Sequence, residues 1–354
     1  MDRYEDRPAT ARAAVARVAR MSAHAFEAVV VVTGASAGIG RATALAFARE
    51  GATVALLARN HERLDAACGD IHALGGNAMA IALDMADAGA VEDAATRIER
   101  ELGPIAVWIN NAMVTIFARF DDITPQEYEQ VTKVTYLGTV HGTMAALRRM
   151  RTRDRGSIVQ VGSALAYRSI PLQSPYCGAK AAIRGFTDAL RCELIHDRSH
   201  VRLSMVQLSA FNTPQFDWAR SRLPRRLQPV PPIFQPELAA QAILRAARKG
   251  PRELWVGWPA VKAILSTRLA PGLGDALAAR QAYEAQETDE PADASRADNL
   301  LASVDGAQQA HGRFDARARD RSLQMRLVGH PAWMAAFAIL VIAGVLLIAG
   351  LCFA

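Results

Sequence analysis

Tyr176 and Lys180 stand four residues apart, so on a helix they share one face a single turn apart. A free phenol, with a pKa of about 10, is a poor base at neutral pH. A neighbouring lysine ammonium favours the phenolate and lowers that value, which is what a general acid/base requires. The spacing carries weight because lysine is scarce here: of 41 basic residues, only Lys133, Lys180, Lys249 and Lys262 are lysines. Ser163 lies 13 residues before Tyr176, just past the end of an apolar run. From there its hydroxyl is suited to polarise a carbonyl while Tyr176 moves the proton. The plainer alternatives are a solvated helix face for the pair and a strand-end cap for the serine.

A second cluster suits phosphate. TGASAGIG at 33–40 places Gly34, Ser36, Gly38, Ile39 and Gly40 between the apolar run Val29–Thr33 and the helix-spaced stretch Arg41–Glu50. Glycines there let the backbone turn tightly against a pyrophosphate, and the following helix aims its N–H groups and positive dipole end at it. The next apolar run ends in Ala58-Arg59. An acid at such a strand end holds a ribose 2′-OH, whereas an arginine forks onto a 2′-phosphate, so NADP(H) is expected over NADH, with Arg59 as the reader.

These residues need a frame. Apolar runs at Val29–Thr33, Thr53–Leu57, Ala78–Leu83, Ile105–Asn110, Ser157–Val161, Val201–Leu208 and Leu254–Val256 alternate with helix-like stretches. That alternation predicts βαβ units and an α/β, doubly wound parallel sheet of Rossmann type in a single domain over 28–270.

With these residues in order, the chain resembles the short-chain dehydrogenases/reductases over roughly residues 28–260. The carriers are TGASAGIG, Asp84 after the third run, Asn110-Asn111-Ala112 after the fourth, Ser163 after the fifth, and Tyr176-Cys-Gly-Ala-Lys180. The resemblance implies hydride transfer between a nicotinamide and a carbonyl or secondary alcohol carbon, with Ser163, Tyr176 and Lys180 catalytic. It also implies Asp84 against the adenine, Asn110 and Ala112 along the adenine ribose, Lys180 on ribose hydroxyls and Thr213 on the carboxamide. Homodimers or homotetramers are the implied assembly. Three positions depart from the family pattern: Met113 stands for a glycine, Ser209-Ala210 for Pro-Gly, and Thr135 for an asparagine that holds a water in the proton relay. Thr135 is expected to take that place with a shorter reach.

The loop 211–235 interleaves Phe211, Phe216, Trp218 and Phe234 with Arg220, Arg222, Arg225 and Arg226. The aromatics suit a small lipophilic carbonyl or alcohol, and the arginines suit anionic headgroups or solvent. At 354 residues, with 51 % hydrophobic and 21 % charged, the chain is neither disordered throughout nor of low complexity. Its net +6 is dispersed and separated from an acidic stretch at 275–310, unlike the basic stripe of a nucleic-acid binder. Four cysteines without C-x-x-C spacing and scattered histidines indicate neither a disulfide scaffold nor a metal site.

Residues 332–354 carry no charge, and Arg313, Arg317, Arg319, Arg321 and Arg326 precede them. That pattern predicts a transmembrane tail anchor at 331–354, with the catalytic domain on the cytoplasmic side. Residues 1–27 read as a disordered leader, 271–287 as a short helical extension and 288–330 as a polar linker. Two rival functions are a non-catalytic cofactor-binding membrane scaffold and an epimerase or dehydratase on a related fold. Intact Ser163, Tyr176 and Lys180 weigh against the first, and the glycine spacing against the second.

Overall fold

The computed structural model describes residues 26–293, 295–305 and 309–329. Its centre is a seven-stranded parallel sheet. The strands are β1 Val29–Thr33, β2 Thr53–Ala58, β3 Asn77–Ala82, β4 Ile105–Asn110, β5 Gly156–Ser163, β6 Val201–Leu208 and β7 Glu253–Val256. They lie in the order β7-β6-β5-β4-β1-β2-β3. All seven coincide with the apolar runs of the sequence to within two residues at either end.

Strands this apolar need cover on both faces, and helices supply it. Val30 and Val32 of β1 pack with Phe47 of α1 (Gly38–Arg49) and Ile243 of α7 (Pro236–Lys249), numbering the helices in chain order. Val29 and Val31 pack on the other face with Ile98 of α3 (Ala88–Leu102) and Met150 of α5 (Gly138–Arg153). Between them in the chain, α2 (His61–Ala73) and α4 (Pro125–Val131) begin with side-chain caps from Asn60 and Thr124, and Asp87 caps α3. Helix α6 (Ser174–His196) carries the Tyr-Lys pair, and α8 (Trp258–Leu269) and α9 (Pro271–Gln281) follow β7. The chain reverses direction across the sheet between β1 and β4, which opens a crevice at the carboxyl ends of those strands.

The stretch expected as a linker is instead folded onto the domain. Glu287–Pro291 pairs antiparallel with Arg225–Leu227. Leu300 is fully buried beside Val114, Ile116 and Val131, and Phe314 packs against Phe216. A final short helix, α10 (Leu323–Gly329), lays Met325 and Val328 on the α1–α7 core. Lone apolar residues spaced far apart produce no periodicity in sequence, yet each fills one hole in the surface. The acids of this stretch find the arginines of the 211–235 loop: Asp298 pairs with Arg220 and Glu290 with Arg226. Packing begins earlier than the expected leader boundary too, because the Phe26 ring meets Phe47 edge-on at 5.3 Å. The run 332–354 and the first 25 residues lie outside the described part. Among the described residues no helix is long and apolar enough to cross a membrane.

Candidate active site

The crevice holds a cavity of about 430 Å³ lined by the glycine loop, Arg59, Asp84, Ser163, Tyr176, Lys180 and Thr213. Its phosphate end is built by backbone. Gly38 has φ +56°, a conformation that side chains other than hydrogen resist. A Cβ on Gly40 would sit 2.1 Å from the Gly34 carbonyl oxygen, so the loop can fold back on α1 only with glycine there. Ala37, at the start of α1, supplies no side-chain cap, unlike the residues that open α2 and α3. An uncapped helix start beneath a glycine cradle fits a pyrophosphate.

The catalytic trio converges on the same cavity. Ser163 ends β5, and its Oγ accepts the Leu165 N–H at 3.1 Å, which fixes the hydroxyl at the strand end. Lys180 is 3 % exposed, and its Nζ donates to the Val161 carbonyl at 2.7 Å. That ammonium lies 5.5 Å from the centre of the Tyr176 ring. Burial lowers the Lys180 pKa to about 8. Tyr176 departs from the sequence expectation. Burial pushes its phenol above the ordinary value, and a hydrogen bond with Ser163 offsets only part of that rise. Lys180 is turned toward Val161 and does not lower it. Until another positive charge arrives, Tyr176 is therefore a protonated acid rather than a base.

Other expected residues fall into place less evenly. Gly34, Ser36, Ile39, Ala112 and Thr213 line the cavity, as do Arg59 and Asp84. Met113 lines it too, in place of the family glycine. Asn110 does not. It is 3 % exposed behind the wall, where it accepts the Trp108 Nε1–H at 2.8 Å and donates to Gln160 and Thr143 at 2.9 and 3.0 Å. Its neighbour Asn111 lines the cavity, with its amide donating to the Thr33 carbonyl at 2.9 Å. Thr135 is also removed from the cavity: it is fully buried in a π-helical turn, Thr132–Leu137. Its hydroxyl donates to the Val114 carbonyl at 2.8 Å and accepts the Val114 N–H at 3.1 Å, so it clamps a backbone and has no proton-relay position.

Three of the four arginines, Arg220, Arg222 and Arg226, are likewise paired within the chain. Arg220 and Arg222 both donate to buried Glu127. Burial alone raises the Glu127 carboxyl, but Arg222, the Thr124 N–H and Arg220 outweigh it and hold it at about 2. Three of the four aromatics reach the cavity: Phe211, Phe216 and Trp218 form part of its wall, while Phe234 packs behind Phe211.

Several wall residues escaped the sequence reading. Gln173 donates to Gln286 at 2.7 Å, and both face the cavity. Asn299, Ser303 and Val304 come from the supposed linker. The one available signal was Leu300-Leu301, an isolated apolar pair in a polar stretch. Among the described residues no group of three or more His, Cys, Asp or Glu is placed to hold a metal ion.

The geometry agrees with known proteins. The sequence profile described as short chain dehydrogenase matches residues 28–222. An uncharacterized oxidoreductase of Bacillus subtilis, YxnA, is 30 % identical over 87 % of this chain and 87 % of its own length. Probable oxidoreductase EphD of Mycobacterium tuberculosis is 34 % identical over 66 % of this chain, which spans 42 % of that longer protein. Among solved structures, an alcohol dehydrogenase from the archaeon Thermococcus sibiricus complexed with 5-hydroxy-NADP superposes with a TM-score of 0.56 at 27 % identity. It covers 65 % of this chain and 96 % of its own. A metagenomic short-chain oxidoreductase in complex with NADP gives 0.55 at 26 % identity, over 65 % of this chain and 96 % of its own. With glycine cradle, Ser163, Tyr176 and Lys180 on one parallel-sheet crevice, and a profile match over more than half its length, the chain belongs to the short-chain dehydrogenase/reductase family of oxidoreductases.

Proposed function

We propose that this enzyme is an NADP(H)-dependent reductase or dehydrogenase acting on a small lipophilic carbonyl or secondary alcohol. The observation that carries this is the convergence of Ser163, Tyr176 and Lys180 on a cavity whose other end is a glycine cradle. A bound nicotinamide dinucleotide supplies or accepts the hydride. The chain does the rest. Ser163 orients and polarises the carbonyl oxygen, and Tyr176 gives that oxygen its proton or takes it back. Lys180, held by the Val161 carbonyl, would reach the ribose hydroxyls of the cofactor, and the walls of Phe211, Phe216 and Trp218 exclude water. Asp84 and Asn111 line the same cavity, and Thr213 lies against Gly38 of the glycine loop.

Preference for NADPH rests on Arg59 following Ala58, with no acid at that strand end. Lipophilicity of the substrate rests on the aromatic wall. The uncharged run 332–354 supports a single-pass tail anchor that holds the catalytic domain at the cytoplasmic membrane face, and the family supports a homodimer or homotetramer. The test is oxidation of NADPH and of NADH with a panel of hydrophobic and hydrophilic ketones and aldehydes. Turnover with a lower KM for NADPH is expected. Equal or better use of NADH refutes the Arg59 assignment, and turnover confined to hydrophilic substrates refutes the lipophilic one.

A further inference from the structure

The folded-back stretch crosses the cofactor end of the cavity, and its backbone takes the groups assigned above to phosphate. Arg59 Nη2 donates to the Asn299 carbonyl at 2.5 Å, and Nη1 to the Leu301 carbonyl at 3.3 Å. Arg63, four residues on, donates to the Asp305 carbonyl at 2.9 Å. The Gly38 N–H, at the uncapped start of α1, donates to the Gln309 carbonyl at 3.2 Å. A row of carbonyl oxygens presented to guanidinium forks and a helix-start N–H offers the acceptor geometry of phosphate without its charge.

We propose that residues 298–305, with Gln309, form an autoinhibitory strap that competes with the dinucleotide phosphates for Arg59 and the start of α1, and that cofactor binding displaces it. The proposal rests on the assignment of Arg59 to the 2′-phosphate. Its energetics favour exchange. A phosphate offers a guanidinium full opposite charge and a bidentate fork, where a carbonyl offers only a neutral acceptor, so a bound dinucleotide outcompetes the strap at sufficient concentration.

The strap is held by local contacts. Leu300 inserts beside Val114, Ile116 and Val131, and its N–H donates to Asp298 at 3.0 Å. Asp298 also accepts from Arg220 at 2.9 Å, and the Asn299 N–H donates to the Trp218 carbonyl at 2.9 Å. Upstream, Arg296 grips the carbonyls of Phe216, Asp217 and Ala219, which fixes the point about which the strap would swing.

Amide hydrogen exchange of the full chain tests this directly. A competing strap exchanges faster at Asn299 and Leu300 when NADPH is added. Slower or unchanged exchange makes these residues a cover or a fixed wall and overturns the proposal. Asp298→Ala loosens the strap mildly and Leu300→Ser strongly, so one of the pair stays informative where the other folds poorly. Each is expected to tighten NADPH binding, by about tenfold for Leu300→Ser, with a smaller gain for NADH. Weaker or unchanged NADPH binding in both overturns the strap. Arg59→Ala separates the two claims. An unchanged preference for NADPH over NADH refutes the Arg59 assignment, whereas a lost preference with no gain in either strap variant refutes the strap alone.

Discussion

Replacing Asn110 with alanine separates a buried structural role from a cofactor role. The side chain is 3 % exposed and ties three elements together, accepting from Trp108 Nε1 and donating to Gln160 and Thr143. Gln160 keeps Thr143 as a partner through its Nε2 at 2.9 Å, so truncation orphans two buried groups, the Trp108 N–H and the Gln160 Oε1. Each orphan costs about 1–3 kcal/mol, and the pair about 3 kcal/mol, roughly two decades in the folding equilibrium. The cofactor wall should survive, because Thr33 Oγ1 independently holds the Asn111 and Ala112 N–H groups at 2.9 and 3.0 Å. The assay is urea unfolding followed by tryptophan fluorescence, with NADPH titration under native conditions. The midpoint is expected to fall while NADPH affinity stays within about twofold. An unchanged midpoint with affinity lost tenfold refutes the reasoning and restores Asn110 to the ribose.

Three further outcomes follow from particular groups. Glu127→Ala strands Arg222, leaves Arg220 with Asp298 alone and removes half of the Thr124 capping box, so a loss of about 2 kcal/mol is expected at pH 7 in urea unfolding. Because folding lowers this carboxyl to about 2, its contribution is present above its unfolded value near 4.5 and fades as the pH falls toward 2. The difference between wild type and variant should shrink in that window. Burial pulls His311 down, but Glu237 and Asp315 outweigh it and raise its pKa. Its stabilisation is therefore full below about 6.5 and lost as pH rises through the raised value, so the Tm gap to His311→Gln should close between mildly acidic and alkaline pH. Lys180, lowered by burial to about 8, should give kcat/KM for the cofactor an alkaline limb near that pH; a profile flat to pH 10 contradicts a need for its charge.

Most of the frame was legible because β1, β2 and β4–β6 are apolar runs bounded by turn residues, and a strand buried on both faces has no other pattern to show. The glycine loop, Ser163, Tyr176 and Lys180 were legible because backbone approach and proton chemistry restrict residue type. Asn110 and Asn111 were not separable, since adjacent strand-end residues point to opposite sides and only the register decides which faces the crevice. Thr135 looked like a polar residue in a family position, but its partner Val114 is distant in sequence and no local pattern announces it. The strap was hidden for a related reason. A segment that buries one leucine and otherwise presents backbone carbonyls looks polar in sequence, because carbonyls belong to every residue.

Tyr176→Phe tests the proposed chemistry most directly. Phenylalanine keeps the ring beside Lys180 and removes only the hydroxyl that moves the proton. With any ketone that the wild-type enzyme reduces, kcat is expected to fall by about 10²–10⁴-fold while NADPH affinity changes little. Unchanged turnover would contradict Tyr176 as the acid/base.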